Sequence, residues 1–319
     1  MHKWLLALLI VGSTAQAAGV DAISPGRLQL KAGEMAVGIG PAPEKIERVL
    51  IVIHGRLRNA ETYRKSAESA AELAGQTAHT LVIAPQFLNE SDVPLYSLPA
   101  TVLRWKGNEW MGGGFSTGPN PLSSYAALDE IVARITDRKQ FPDVKQIVIF
   151  GHSGGGQVVQ RYALLAKDQP ALKANGIRLR YVVANPSSYA YFNEQRPVAF
   201  DHAQCPGFNR WKYGLSDMPV YAGGQTALQL ESSYIKREVI YLLGQQDIDP
   251  QHPALDKSCS AKAQGAYRLE RGKMFFGYLL RRHPEGVNQR LVEVPGVGHN
   301  GDEMLTSPEG QKALFEQVL

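Results

Sequence analysis

The sequence of 319 residues predicts an α/β fold, with a mostly parallel, doubly wound β-sheet and helices on both of its faces. Two observations support this fold class. Short apolar runs rich in β-branched residues recur along the chain, and amphipathic helical patterns lie between several of them. The runs are continuously apolar rather than alternating, as expected for parallel strands that are covered on both faces.

The strands are predicted from these apolar runs, taken in chain order. The runs span residues 49–53, 81–84, 147–150, 181–184, 239–243 and 291–294. Residues 27–40 precede them and are expected to add an antiparallel β-ribbon at the edge of the sheet.

The helices are predicted from apolar residues that recur at helical spacing. They span residues 61–75, 124–139, 154–167, 264–282 and 307–318. In the second of these helices Ala127, Leu128 and Ile131 fall on one face, and Ser123 is placed to cap the first turn.

Two long segments interrupt the alternation of strands and helices. Residues 86–122 are rich in Gly and Pro, and residues 186–235 are rich in aromatic side chains. Long excursions inside a compact α/β domain commonly form binding loops or lids. We therefore predict a single domain over residues 18–319, with a lid-like insertion at about 186–235.

The first residues have the pattern of a signal peptide. Lys3 provides a positive start, residues 4–11 are apolar, and Ala15-Gln16-Ala17 has the form of a cleavage site. The apolar run is far shorter than the roughly 20 residues that span a bilayer, and no later segment qualifies, so no stable membrane insertion is predicted. We expect residues 1–17 to be removed and the mature chain, from Ala18, to be exported to the periplasm or the extracellular medium.

Charge and cysteine content narrow the function further. The chain has 34 basic and 30 acidic residues, a formal net charge of +4 and no run of Lys or Arg, which argues against a nucleic-acid partner. Its two cysteines are Cys205 and Cys259. Because two cysteines in an oxidising compartment usually pair, a disulfide is predicted, with two buried free thiols as the alternative.

The stretch Gly151-His152-Ser153-Gly154-Gly155 has the form G-x-S-x-G of a nucleophile elbow. A predicted strand ends before it and a predicted helix follows, which is the strand–turn–helix setting that this motif requires. The sharp turn is expected to hold Ser153 in a strained conformation and to lift its hydroxyl above the edge of the sheet. A phosphate-binding loop is the alternative, but the G-x-G-x-x-G and GK[ST] patterns are missing.

A serine hydroxyl needs a base, and the base needs an acid that orients it. His299 follows the last predicted strand and is the expected base. Asp247 follows the strand at 239–243 and is the expected acid, with Asp249 as the alternative. Asp247, Asp249 and His252 do not have the spacing of a recognised metal site, so no metal and no other cofactor is predicted.

An oxyanion hole is expected beside the serine. The backbone N–H of Gly154, the residue after the predicted nucleophile, is one expected donor. The other is expected in the loop after the strand at 49–53, which begins His54-Gly55. The backbone N–H of either Arg56 or Leu57 can supply it, and the sequence does not decide between them.

With these features in this order, the chain resembles the α/β-hydrolase superfamily from about residue 45 to its C-terminus. The elbow, the His54-Gly55 loop, Asp247 and His299 carry the resemblance. It implies an α/β-hydrolase fold and an exported serine hydrolase that cleaves small-molecule or polymeric carboxylic esters through an acyl-enzyme. The layout is also similar to secreted esterases, polyester depolymerases and feruloyl-esterase-like hydrolases. A serine peptidase or amidase on the same fold, or a catalytically silent binding protein, are the alternatives.

Aromatic residues of the two long segments are candidates for the substrate pocket. Trp105, Trp110 and Tyr189 are chosen because rings above a sheet edge can clasp an apolar or aryl group. The alternative is that these rings form a small core of their own. A disulfide between Cys205 and Cys259 would tether the lid-like insertion beside Asp247. The sequence does not predict the oligomeric state.

Overall fold

The computed structural model describes residues 20–316, so the predicted signal peptide at 1–17 lies outside the described residues. Within the described range, the central sheet has eight strands in the order β1-β2-β4-β3-β7-β8-β9-β10. The first three strands in this order pair antiparallel, and all the other pairs are parallel. The strands of this sheet are β1 (Gly26–Leu30), β2 (Gly33–Ile39), β3 (Arg48–Ile53), β4 (Thr80–Gln86), β7 (Gln146–His152), β8 (Arg178–Ala184), β9 (Glu238–Gly244) and β10 (Gln289–Val294).

Two short strands and the helices complete the regular structure. The strands β5 (Arg104–Trp105) and β6 (Ser116–Gly118) form a separate ribbon. The helices are α1 (Ala60–Leu73), α2 (Asp92–Leu95), α3 (Ser124–Ile135), α4 (Gly154–Leu165), α5 (Pro170–Ala174), α6 (Ala227–Tyr234), α7 (Cys259–Lys262), α8 (Arg268–Arg282), α9 (Gly301–Thr306) and α10 (Pro308–Phe315).

Both faces of the sheet are covered, which explains the continuous apolar runs. Alternate residues of β3, such as Val49 and Ile51, pack with α3, α4 and α8 in one core. Their neighbours Leu50 and Val52 pack with α1, α9 and α10 in a second core. The predicted α/β-hydrolase fold class, with a mostly parallel sheet and helices on both faces, is therefore confirmed.

The helix bounds differ from the predicted ones where local chemistry intervenes. The Ser123 side chain accepts a hydrogen bond from the Tyr125 N–H, so α3 begins where it was predicted. The helix predicted from residue 264 begins only at Arg268, because Gly265 has φ +142° and the Gln264 side chain bonds the backbone of Tyr189 instead. The predicted antiparallel ribbon at 27–40 is present as β1 and β2.

The segment 186–235 folds down onto the sheet. Its only helix in the described structure is α6, besides a short 3₁₀ turn at Val220–Ala222. Cys205 in this segment forms a disulfide with Cys259 at the start of α7, with a sulfur–sulfur distance of 2.01 Å. The predicted disulfide is thus present, and it ties this segment to the chain that follows β9.

The first described residue is also anchored. Val20 is buried, and its N–H donates to Asp92 Oδ1 at 3.2 Å. Asp92 is fully buried and pairs with Arg58, whose Nε lies 3.0 Å from Oδ2. No helix within residues 20–316 combines the length and the apolar character that crossing a membrane requires.

Candidate active site

Ser153 lies in the turn between β7 and α4. Its φ of +58° and ψ of −116° are strained for a residue with a side chain, and its N–H is held by the carbonyl oxygen of Ala184 at 2.9 Å. A Cβ at Gly155 would come within 2.2 Å of the Ile53 carbonyl oxygen, so only glycine allows α4 to pass this close to β3. The strand–turn–helix setting thus presents the Ser153 hydroxyl at the carboxyl edge of the sheet.

Three side chains from the ends of β7, β9 and β10 come together at this edge. His299 Nε2 lies 2.9 Å from Ser153 Oγ, and His299 Nδ1 lies 2.7 Å from Asp247 Oδ2. Because an ionised carboxylate only accepts, Nδ1 carries the proton and Nε2 is free to accept from the serine hydroxyl. The geometry therefore suits the transfer of a proton from Ser153 to His299.

Asp247 is held by a second partner that the sequence analysis missed. It is buried, and its Oδ1 accepts from Arg268 Nη1 at 3.0 Å, while Arg268 Nε donates to Ser187 Oγ at 3.0 Å. Burial alone would raise the pKa of Asp247, but hydrogen bonds and charge attraction from His299 and Arg268 outweigh it and lower the pKa. Asp247 therefore stays ionised beside the imidazole.

One signal could have pointed to Arg268. A cation in the first turn of a helix is unfavourable with the helix dipole, and Arg268 is the first residue of α8. A residue in that position usually has a specific partner. Asp249, the alternative acid, is exposed and accepts from the Gln251 N–H at 2.8 Å.

Two further histidines, His152 and His54, lie beside the site. His152 is buried with its ring 4.6 Å from that of His299, and its Nδ1 shares a hydrogen bond of 2.9 Å with the Tyr63 hydroxyl. Burial, with repulsion from His299 and Arg268, puts the pKa of His152 well below its usual value, so this ring stays neutral. A neutral ring packed against that of His299 helps to fix the position of the imidazole and places no charge beside it.

His54 shapes the loop in front of the serine. Its Nδ1 lies 2.8 Å from the Gly55 carbonyl oxygen, and its Nε2 accepts from the Phe87 N–H at 2.9 Å. Burial lowers the pKa of His54 to about 4, so the ring is neutral and can make both bonds. The backbone amide of Arg56 lies in this loop and borders the start of α4. A Cβ built on Gly154 would lie only 3.1 Å from the Arg56 nitrogen.

Comparison with known proteins identifies the family of this chain. Residues 50–311 match the model of the alpha/beta hydrolase family. The chain belongs to this family. The predicted resemblance to the α/β-hydrolase superfamily is therefore confirmed.

Two solved structures are similar to most of the hydrolase. A poly(aspartic acid) hydrolase from Sphingomonas sp. KT-1 is 26% identical, with a TM-score of 0.66, over 92% of this chain and 100% of the other. A poly(3-hydroxybutyrate) depolymerase from Bordetella parapertussis is 24% identical, with a TM-score of 0.63, over 86% of this chain and 81% of the other. No curated protein sequence matches the hydrolase.

Two cavities meet at Ser153 in the hydrolase. The first, here called the histidine-lined cavity, has a volume of about 450 Å³ and is lined among others by Tyr63, His152, His252, His299 and Asn300. The second, here called the lysine-lined cavity, has a volume of about 350 Å³ and is lined among others by Asn108, Gln157, Ser187, Lys212, Asp256 and Lys257. Arg56, Ser153 and Ala254 border both, so a substrate bound at the serine can extend into each.

The aromatic residues predicted to bind substrate do not line either cavity. Trp105, Trp110 and Tyr189 have no exposed surface and belong to the main core. The Trp110 ring stacks on Phe87 with centroids 5.2 Å apart, and the Tyr189 ring stacks on Phe275 at 4.7 Å. The pocket prediction is therefore wrong for these three residues, because their segments fold back onto the sheet and use the rings for packing.

The described residues form no metal-binding cluster. Among residues 20–316, no three His, Cys, Asp or Glu side chains are grouped so that they could hold a metal ion. Asp247, which the metal alternative required, is occupied by His299 and Arg268.

Proposed function

We propose that the hydrolase cleaves carboxylic esters through a covalent serine intermediate. The observation that carries this proposal is the continuous line of hydrogen bonds from Ser153 through His299 to Asp247, at 2.9 and 2.7 Å. Ser153 is the proposed nucleophile, His299 the general base and Asp247 the acid that orients His299. Arg268 is a positioning residue, since it acts through Asp247.

In the first half of the reaction, Ser153 Oγ attacks the ester carbonyl carbon while its proton moves to His299 Nε2. The resulting imidazolium is stabilised by the Asp247 carboxylate. The tetrahedral intermediate collapses, the C–O bond to the alcohol breaks, and His299 returns its proton to the leaving oxygen. In the second half, water takes the place of the alcohol, loses a proton to His299 and adds to the acyl carbon. The bond from that carbon to Ser153 Oγ then breaks, His299 returns the proton to Oγ, and the acid leaves.

The negative oxygen of each intermediate needs fixed donors. The backbone N–H of Gly154 opens α4, where the N–H groups of the first turn have no partner within the helix. The close approach of Arg56 nitrogen to Gly154 supports Arg56, rather than Leu57, as the source of the second donor. Loss of one such donor typically raises the barrier by about 3 kcal/mol.

A second candidate is hydrolysis of amide bonds by the same residues. It is favoured by the similarity to a poly(aspartic acid) hydrolase, which extends over 92% of this chain at 26% identity. An ester is proposed first because an alcohol leaves more readily than an amine from the same tetrahedral intermediate. A panel of matched esters and anilides separates the two, and faster turnover of the anilides would favour the second candidate.

Export is part of the proposal. Disulfides persist in oxidising compartments, and the Cys205–Cys259 bridge fits the predicted signal peptide at 1–17. N-terminal sequencing of the protein recovered from the periplasm or medium should begin at Ala18. Recovery of the full-length chain from the cytoplasm alone would contradict export.

The central test is labelling by a fluorophosphonate, which reacts with an activated serine. We expect the mature wild-type protein to gain one label, located at Ser153 by peptide mapping, and Ser153→Ala to gain none. Ser69→Ala, an exposed change on α1, is the matched control and should label like wild type. If the wild type reacts no faster than Ser153→Ala, both the ester and the amide proposals fail.

A further inference from the structure

We propose that the lysine-lined cavity binds a carboxylate of the substrate, so that the hydrolase prefers esters that carry a negative charge near the scissile bond. This inference rests on the proposed ester hydrolysis at Ser153 and adds a substrate class to it. It comes from the charges around the cavity, which favour an anion in three separate ways.

The wall of the cavity is cationic. Arg56, Lys212 and Lys257 line it, and Asp256 is the one acidic side chain among its described lining residues. The Asp256 carboxylate is already engaged, because Oδ2 accepts from the Tyr213 hydroxyl at 2.7 Å and Oδ1 from the Ser258 N–H at 3.0 Å. The lining therefore has an excess of positive charge.

Lys212 is the cation best placed to meet a ligand. Its side chain is half-buried, and in the part of the chain that the structure describes it has neither a hydrogen bond nor an ion pair. A partly buried ammonium group that lacks a partner carries a desolvation cost, which a bound anion would offset. Exposed lysines elsewhere need no such partner because water solvates them.

Two buried arginines lie behind the wall. Arg161 has no exposed surface and donates to neutral groups, namely the Met111 carbonyl, Gln157 and Ser188. Arg271 is equally buried and donates to backbone carbonyls, among them that of Ser187. Neither has a carboxylate within ion-pair distance among residues 20–316, although buried charges in proteins are usually paired.

Each of these arginines bonds a residue that lines the cavity. Gln157 and Ser187, which bond Arg161 and Arg271, both line the cavity themselves. The positive potential of both guanidinium groups therefore extends into the space beside Ser153.

Burial and the nearby Arg161 lower the pKa of Lys212 to about 8, while Asp256 and Glu109 oppose the shift. Below that pH the ammonium is charged, and above it the group becomes neutral. The preference for an anionic substrate should therefore be full near pH 7 and fall as the pH rises through about 8.

The histidine-lined cavity provides the internal contrast. Arg56 is the only Lys or Arg among its described lining residues, and Asp302 lies there too. A charged group of the substrate should thus be directed to the lysine-lined cavity rather than to this one.

The test compares matched pairs of chromogenic esters with the mature enzyme. In the first pair, mono-para-nitrophenyl adipate is set against para-nitrophenyl hexanoate, which replaces the distal carboxylate by a methyl group. In the second pair the charge is on the leaving group, with acetoxybenzoate set against acetoxybenzamide. We expect kcat/KM of the charged ester to exceed that of its neutral partner by about 10-fold in one pair, as a hydrogen bond to a charged group allows.

The pair that shows the preference identifies whether the cavity holds the acyl or the alcohol side. Equal or lower kcat/KM for the charged ester in both pairs would overturn the inference. The neutral esters report on the proposed function independently, since their hydrolysis requires Ser153 and not the carboxylate site.

A substitution then assigns the effect to the cavity. Lys212→Gln shortens the side chain by one atom, keeps it polar and removes its charge, and it should reduce the charged-to-neutral ratio of kcat/KM by at least fivefold, whereas Lys212→Arg should keep the ratio. Lys273→Gln removes an exposed cation on α8 that pairs with Glu293, and it should leave the ratio unchanged. An unchanged ratio in Lys212→Gln would overturn the inference.

Binding gives a readout that does not depend on turnover. The adipate dianion should bind Ser153→Ala in calorimetry more tightly at 20 mM than at 300 mM salt, and addition of Lys212→Gln should weaken this binding about 10-fold. If Ser153→Ala does not bind adipate, the carboxylate site is wrong even where ester hydrolysis holds. If adipate binds while no ester is hydrolysed, the ester proposal fails and the site stands.

Discussion

The two cavities that meet at Ser153 are built from different parts of the molecule. The histidine-lined cavity lies between α1 and the start of α9, which are elements of the regular alternation of strands and helices. The lysine-lined cavity takes part of its wall from the two long segments, through Asn108, Ser187 and Lys212, and part from residues 254–257 in the chain after β9. The first contains the imidazole of His299, whereas the second contains unpaired positive charge.

The framework and the long segments therefore supply different groups to the space around Ser153. The framework positions the proposed catalytic groups Ser153, Asp247 and His299 at strand ends whose spacing the sheet fixes. The long segments contribute charge, since one of them carries Lys212. Changes on the histidine side should therefore alter turnover of every substrate, and changes on the lysine side should alter selectivity among substrates.

The largest effect should come from Asp247→Asn. An amide can offer a donor to His299 Nδ1, so the imidazole would lose the tautomer that accepts from Ser153, and we expect kcat to fall about 10,000-fold. Charged and neutral esters should suffer equally, because the change affects proton transfer and not the lysine-lined cavity. Steady-state kinetics on both ester types measure this effect.

Asp249→Asn is the matched control for this prediction. Asp249 is exposed, two residues further along the same loop, and its carboxylate bonds the Gln251 N–H rather than His299. We expect near wild-type kcat. If Asp249→Asn loses activity and Asp247→Asn keeps it, the assignment of the acid is wrong.

The next effect should come from replacing Cys205 and Cys259 together by Ser. The bridge spans 54 positions and, in the chain-entropy model, closing a loop of that size stabilises the fold by about 4 kcal/mol. It also joins the segment that carries Lys212 to the chain just after Lys257, so it holds two walls of the lysine-lined cavity together.

We therefore expect the double variant to lose about 4 kcal/mol of unfolding free energy in urea, and to lose selectivity for charged esters more than it loses turnover of neutral ones. Reduction of the wild type to free thiols should give the same pattern. Unchanged stability and unchanged selectivity would show that the bridge does not organise this cavity.

A smaller effect should come from Arg268→Met. Arg268 bonds both Asp247 and Ser187, and Ser187 lines the lysine-lined cavity, so this residue lies between the two cavities. The change removes the charged hydrogen bond to Asp247 Oδ1 and leaves the bond to His299 in place, so kcat should fall about 10-fold with little change in KM. A purely structural role would move the melting temperature without a change in the pH profile.

Arg268→Met should also shift the pH at which activity is lost on acidification, in a defined direction. Arg268 contributes to the lowered pKa of Asp247, so its removal should raise that pKa. Because the ionised carboxylate is the active form, the loss of activity on acidification should begin at a higher pH in Arg268→Met than in wild type. The stability that Asp247 provides is present above its unfolded pKa and is lost as the pH falls through the folded one, so the variant should also lose stability at a higher pH.

The smallest effect should come from Tyr63→Phe on the histidine side. It removes the hydroxyl that bonds His152 Nδ1 and keeps the ring, so we expect a loss of about 1 kcal/mol in unfolding free energy and a fall in kcat of less than about fivefold. Charged and neutral esters should again be affected alike. A change in their ratio would contradict the separation of the two cavities.

The sequence predicted the framework side well because its signals are local. The strand before Ser153, the glycines around it and the helix after it lie within a short stretch, and β9 and β10 could be found from their apolar runs. Asp247 and His299 were then placed by their position after these strands. The structure brings both to Ser153, and the sheet accounts for this, since the carboxyl ends of parallel strands share one edge.

The lysine side could not be predicted because it depends on contacts between distant parts of the chain. Nothing near Lys212 in the sequence indicates that its side chain shares a cavity with Ser153, or that Arg161 lies behind it. The pocket prediction for Trp110 and Tyr189 was wrong because the direction in which these rings point also depends on distant contacts, and both rings are buried. An aromatic residue in a long segment has the same pattern whether it faces a ligand or the core.

The anchoring of Val20 has a practical consequence for the processed protein. Expected cleavage after Ala17 leaves just Ala18 and Gly19 ahead of a buried residue that bonds Asp92, and Asp92 in turn pairs with Arg58, two positions beyond Arg56. Trimming past Val20, or fusing an affinity tag there without a spacer, would disturb the support of the loop in front of the serine. Removal of residues 1–17, as proposed, would therefore place the new amino terminus two residues from the contacts that link Val20, Asp92 and Arg58 to the loop in front of Ser153.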